Sequence, residues 1–198
     1  MKSQSCIHSK KTDREELLAE LQTLSGEVRI IAIDGRCAAG KTTLAAWLAE
    51  RLDGDVIHMD DFFLPIELRT VERREEPGGN VHYERFRAEV LPGLKERVPF
   101  SYQRFDCSRM ELGRLIPVKN KGIVIVEGAY SCHPVLGDYM DRKVFMDIDR
   151  KLQEERILLR NGKDRLQDFR EKWIPMEEAY FTAFSIEEHT DYFIKPER

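Results

Sequence analysis

One octapeptide constrains this chain more than any other feature: Gly35-Arg36-Cys37-Ala38-Ala39-Gly40-Lys41-Thr42. It fits the pattern G-x-x-x-x-G-K-[ST] at every fixed position. The β-branched run Val28 to Asp34 precedes it, and a helix-forming stretch from about Lys41 to Leu52 follows. A strand, a glycine-rich turn and a helix in that order make a phosphate-binding loop. The glycines let several backbone N–H groups converge on one phosphate, and the helix N-terminus adds partial positive charge. Gly35, Arg36, Cys37, Ala38, Ala39, Gly40, Lys41, Thr42 and Thr43 are therefore the expected nucleotide-binding residues. Lys41 is expected to reach the terminal phosphates and the Thr42 hydroxyl to ligate Mg²⁺, so ATP and Mg²⁺ are the implied cofactors. A thiol at such a helix N-terminus beside a lysine should ionise easily, which makes Cys37 an expected reactive cysteine.

The rest of the chain repeats the alternation. Val56 to Met59, the segment GIVIVEG (Gly122 to Gly128), KVFMDID (Lys143 to Asp149) and TDYFI (Thr190 to Ile194) read as further strands, and a charged helix runs from about Arg150 to Leu159. Strands that are apolar throughout are buried on both sides, so a parallel sheet with helices on both faces is expected. Thr12 with Glu15 predicts a capping box opening a helix through Leu17, Leu18, Leu21 and Leu24, ended by Ser25-Gly26; the first eleven residues are expected to fray. Residues 1–26 are then an N-terminal extension. Residues 62–121 hold five of the eight prolines and break the rhythm, which predicts an insertion on the substrate side. The whole of 1–198 suits one domain.

Composition narrows the function. With 32 basic against 36 acidic residues the net charge is -4, which gives no basic footprint for nucleic acid or for an anionic membrane. Any phosphate site must be local. The four cysteines (Cys6, Cys37, Cys107, Cys132) form no C-x-x-C pair, so neither a zinc site nor a disulfide framework is expected. No run approaches the roughly 18 apolar residues of a membrane span and no leader pattern opens the chain, which predicts a cytoplasmic location.

Ligands of open α/β sheets collect at the carboxyl ends of strands. Asp60-Asp61 follows the second strand and Glu127 follows Ile123 to Val126. One such carboxylate can hold Mg²⁺ or its waters, and another can accept the proton of an attacking hydroxyl. Asp61 reads as a turn residue, and Asp147 and Asp149 as caps of the helix at Arg150. Arg156 and Arg160 share one helix face, suited to phosphate oxygens or to plain solvation.

The phosphate loop, MDDFF (59–63), GNVHYERF (79–86), SYQRFDCSRME (101–111), VEG (126–128) and the arginine-rich helix, in this order, resemble the uridine kinase and phosphoribulokinase family of P-loop kinases. The likeness spans Val28 to Ile194. It implies a three-layer α/β/α fold with a five-stranded parallel sheet and a short helical lid over 156–175. Asp60 matches the catalytic aspartate, and Glu127 matches the acidic residue beside magnesium. Arg156 and Arg160, with Lys163 and Arg165, match the lid. Where nucleoside kinases carry a sugar-binding aspartate the chain has His82, and where they carry a pyrimidine-reading histidine it has Cys107. Tyr83, Tyr102, Asp106 and Arg109 complete the expected acceptor pocket. The implied activity is transfer of the γ-phosphate of ATP to a small-molecule hydroxyl such as that of a nucleoside, and a homo-oligomer is compatible with it. The alternatives are a P-loop NTPase and a nucleotide-binding protein with altered catalysis; the guanine-reading segment N-K-x-D starts at Asn120-Lys121 but lacks its aspartate.

Overall fold

The computed structural model describes residues 9–24, 26 and 29–196. Expectations for residues 1–8, with Cys6, and for Ser25 and Val28 lie outside the described residues. In chain order the elements are β1 (Lys10–Lys11), α1 (Arg14–Thr23), β2 (Ile30–Gly35), α2 (Lys41–Leu52) and β3 (Asp55–His58). The insertion follows, with α3 (Val71–Glu75), α4 (Tyr83–Glu89), α5 (Leu91–Glu96), β4 (Phe100–Asp106) and β5 (Glu111–Val118). The chain closes with β6 (Val124–Glu127), β7 (Arg142–Met146), α6 (Arg150–Asp168), α7 (Ile174–Phe184) and β8 (Tyr192–Ile194).

The main sheet has the order β3-β6-β2-β7-β8-β1, and every pair in it is parallel. It therefore has six strands, not five. The added edge strand, β1, is two exposed lysines held by the Lys10 N–H donating to Asp191 O at 2.9 Å, and its sequence has no apolar pattern to announce it. In β6 the alternation explains why the run is apolar throughout. Ile125 joins a core with Leu17 and Leu21 of α1 and Leu44 and Leu48 of α2, while Val124 and Val126 join the opposite core with Phe62, Phe86, Tyr102 and Tyr180. Helices thus cover both faces. Leu17 and Leu21 are fully buried, each contributing on the order of 1.5–3 kcal/mol.

Three local readings shift. The cap of α1 is Asp13 rather than Thr12: its carboxylate accepts from the Glu16 N–H at 2.8 Å. Asp149 caps α6 as expected, whereas Asp147 instead pairs with Arg36 and Lys195. Finally, α6 does not stop near Leu159. It runs to Asp168 through a break at Gly162 (φ 81°, ψ 174°) and continues by one π-helical turn, Phe169–Trp173, into α7. The insertion adds an antiparallel ribbon, β4 with β5, outside the main sheet.

Candidate active site

The loop between β2 and α2 has the backbone its sequence demands. Ala38 (φ 61°) and Gly40 (φ 102°) both take left-handed conformations, which turn successive amides inward. Gly35 (φ 128°) passes so close to β7 that a Cβ there would lie 2.1 Å from Met146 O, so only glycine fits. The first N–H groups of α2 have no partner within the helix. Lys41 Nζ donates to Gly35 O (2.7 Å) and Arg36 O (2.9 Å), curling over the loop where a polyphosphate would lie.

Glu127, at the end of β6, is 4% exposed. Its Oε1 accepts from Thr42 Oγ1 at 3.1 Å and contacts His58 Nδ1, at the end of β3, at 2.5 Å. That hydrogen bond raises the imidazole above its ordinary pKa and in turn holds the Glu127 carboxylate in place. Thr42 and Glu127 form an all-oxygen pair. Among the described residues no group of three His, Cys, Asp or Glu side chains could hold a metal. One hydroxyl and one carboxylate fit Mg²⁺, which keeps most of its shell as water and phosphate oxygen. Asp60, two residues beyond β3, opens on the same cleft. The surrounding protein and the Glu127 charge both raise its pKa, a shift toward the range a general base needs.

Carboxylates that sequence reasoning left aside hold this arrangement. Asp34 is fully buried and accepts from the N–H groups of Gly35 (2.7 Å), Tyr130 (3.2 Å) and Cys132 (2.9 Å) and from Tyr180 OH (2.8 Å). It ties the loop to the segment after β6 and to α7. Asp61 accepts from Tyr102 OH at 2.8 Å and pairs with Arg104, a structural role as expected. The Arg36 side chain turns away from the loop, forking onto Glu178 (2.7 and 3.0 Å) and reaching Asp147 at 2.6 Å. It anchors α7 rather than a nucleotide.

Glu177, on α7, is the least anticipated member. It is buried, its Oε2 accepts from the Cys37 N–H at 2.9 Å, and burial pushes its carboxyl up to about 6. Burial and this neighbour also push the Cys37 thiol well up, so Cys37 is a poorly ionised, structural thiol rather than a reactive one. A thiolate would have to form beside a carboxylate with little water, which outweighs the helix N-terminus. Gln153 Nε2 further engages Cys37 O at 3.1 Å. Cys107 and Cys132 are free as well.

Arg156 and Arg160 line the cleft with Arg165, and Arg156 Nη1 donates to Ala38 O at 3.2 Å. Lys163 is not among the cleft-lining residues. The expected acceptor residues behave differently. Tyr102 is core, 1% exposed and stacked on Phe62. Tyr83 lies under the Arg73 guanidinium and binds Glu76; His82 sits at the start of α4 with burial lowering its pKa. Asp106 accepts from Ser108 at the ribbon tip, and Arg109 pairs with Glu111 at 2.7 Å. None of these five lines the cleft; Cys107, from the same ribbon turn, does. Of the ribbon segment that the motifs single out, the turn at Cys107 and Met110 faces the cleft. Asn120 is likewise structural, with Nδ2 donating to Gly93 O and Val98 O.

The cleft encloses about 1600 Å³ along the carboxyl rim of the sheet. At the β3 end stand Asp60, Phe63, Arg69, Asn80 and Cys107, with Trp173 against Phe63 at 6.0 Å. At the β8 and β1 end stand Lys11, Asp13, Glu16, Trp47, Ile194 and Pro196. The phosphate loop lies between them. No helix among the described residues is long and apolar enough to cross a membrane.

No family model matches the chain. It is 28% identical over 147 residues to uridine kinases of Staphylococcus aureus strains JH9 and Newman, covering 69% of this chain and 70% of each relative. Among solved structures it superposes on a possible uridine kinase from Bacillus stearothermophilus with a TM-score of 0.71 at 18% identity, over 91% of this chain and 96% of that one. A candidate fructose transport system kinase from Silicibacter sp. TM1040 gives 0.69 at 19%, over 93% and 100%. In its motifs, in the site they build and in these relatives the chain is similar to the uridine kinase-like P-loop kinases.

Proposed function

We propose that the protein is an ATP-dependent kinase that phosphorylates a hydroxyl of a small molecule. The observation that carries this reading is the convergence of Asp60, Lys41, the Thr42–Glu127 pair and the lid arginines Arg156 and Arg160 on one cleft beside the phosphate loop. The order of the strands supports a direction for the substrates. A triphosphate on the central loop would point its terminal phosphate toward β3 and Asp60, and its base toward β8, β1 and Trp47, the residues that line the two ends of the cleft.

Asp60 orients the acceptor hydroxyl and takes its proton as the acceptor oxygen bonds to the γ-phosphorus; the bond from that phosphorus to the bridging oxygen breaks and ADP leaves. Lys41, Arg156 and Arg160 offset the charge on the transferring group, so positioning and electrostatics supply most of the rate. Thr42 and Glu127 would hold Mg²⁺, which supplies further neutralisation of phosphate charge. Closure of the arginine-bearing segment about Gly162 would exclude water from the transfer.

The test is incubation with γ-labelled ATP and a panel of nucleosides, sugars and hydroxy acids. A labelled organic product supports the reading, and acceptor-independent release of labelled phosphate points to an NTPase.

A further inference from the structure

The acceptor end of the cleft holds an arginine with no carboxylate within ion-pair distance among the described residues. Four guanidiniums of the insertion are matched by carboxylates: Arg73 with Glu84 (2.9 Å), Arg85 with Glu89 (2.7 Å), Arg104 with Asp61 (3.1 Å) and Arg109 with Glu111 (2.7 Å). None of those four lines the cleft. Arg69 does, half-buried, and it forms no ion pair among the described residues although the chain carries 36 acidic groups. Its one hydrogen bond runs from Nε to Leu64 O at 2.8 Å.

That single anchor decides what the side chain can do. Holding Nε on the backbone of a buried residue fixes the guanidinium plane and leaves both terminal nitrogens as donors. A planar donor fork matches the oxygens of a carboxylate or a phosphate. Leu64 is four residues beyond Asp60, across the turn Met59–Phe62, so the fork and the proton acceptor belong to one stiff segment. Cys107 lines the same end of the cleft, and its thiol, raised first by burial, is raised further by Asp60 and lowered by Arg69. A neutral acceptor would leave the partly desolvated guanidinium uncompensated.

We propose that the acceptor carries, besides its reactive hydroxyl, an anionic carboxylate or phosphate group that Arg69 binds. This rests on the kinase reading and narrows its substrate class from neutral nucleosides to hydroxy acids or sugar phosphates.

The test is calorimetric titration of protein saturated with a non-hydrolysable ATP analogue, using ribose 5-phosphate against ribose and glycerate against glycerol. Binding of the analogue itself reports whether the nucleotide reading stands, independently of the acceptor. At least one anionic probe is expected to bind about thirty-fold more tightly than its neutral partner, the scale of a charge-assisted hydrogen bond. Which pair shows the gap distinguishes phosphate from carboxylate. Arg69→Ala should erase the gap and Arg69→Lys restore part of it, with analogue affinity serving as the control for folding. Equal binding of both members in each pair, or a gap that survives Arg69→Ala, would overturn the proposal while leaving the kinase reading intact.

Discussion

Thr42 Oγ1 donates a 3.1 Å hydrogen bond to Glu127 Oε1, joining the last residue of the phosphate loop to the end of the neighbouring strand β6. The two oxygens are thereby held together, which would lower the cost of ordering the Mg²⁺ proposed to bind there. Glu127→Gln keeps the shape and removes the charge. We expect the Mg²⁺ concentration for half-maximal activity to rise at least about ten-fold, while Mg²⁺-free binding of the nucleotide weakens little. A Mg²⁺ titration identical to wild type would remove Glu127 from the metal side.

Glu177 imposes a pH dependence on stability. Its carboxyl titrates near about 6 in the fold against an ordinary value of 4.5. The native state therefore favours the protonated form. This favourable contribution is fully present below about pH 4.5 and is lost as pH rises through 6, an amount on the order of 2 kcal/mol. Glu177→Gln cannot ionise, so its melting temperature should gain on wild type as pH climbs from 5 to 7.5. A difference that stays flat over that range would contradict the assignment.

Much of this fold is legible in the sequence because its strands are buried on both faces. The runs at β2, β6 and β7 can be nothing but interior strands, and the loop between β2 and α2 is fixed by Gly35 and Gly40. Asp60 and Glu127 follow from their places at strand ends. What sequence could not show are groups whose role depends on long-range approach. Glu177 reaches Cys37 across 140 positions, and Tyr180 reaches Asp34 across 146. Cys37 reverses its expected character because burial, and then the Glu177 carboxylate, oppose its thiolate. The acceptor residues failed differently: in the ribbon β4–β5 Tyr102 and Phe105 point into the core on either side of the register shift between Gln103 and Phe105, and only the turn between the strands, at Cys107 and Met110, reaches the cleft.

Both tryptophans line the cleft, Trp47 under Arg14, where the base of the nucleotide is proposed to lie, and Trp173 against Phe63. In a Trp173→Phe variant the remaining emission reports on Trp47. ATP should change that emission, whereas inorganic tripolyphosphate, which fills the loop without a base, should compete with ATP yet leave the emission close to that of the free protein. An equal response to both ligands would place the base elsewhere.

The most direct test of the account compares wild type with Asp60→Asn, using γ-labelled ATP and the best acceptor from the panel. The account requires that Asp60→Asn bind ATP with wild-type affinity while the rate of label transfer to the acceptor falls by about 10²–10⁴-fold, the range for losing a general base. Transfer at the wild-type rate by the variant would contradict it.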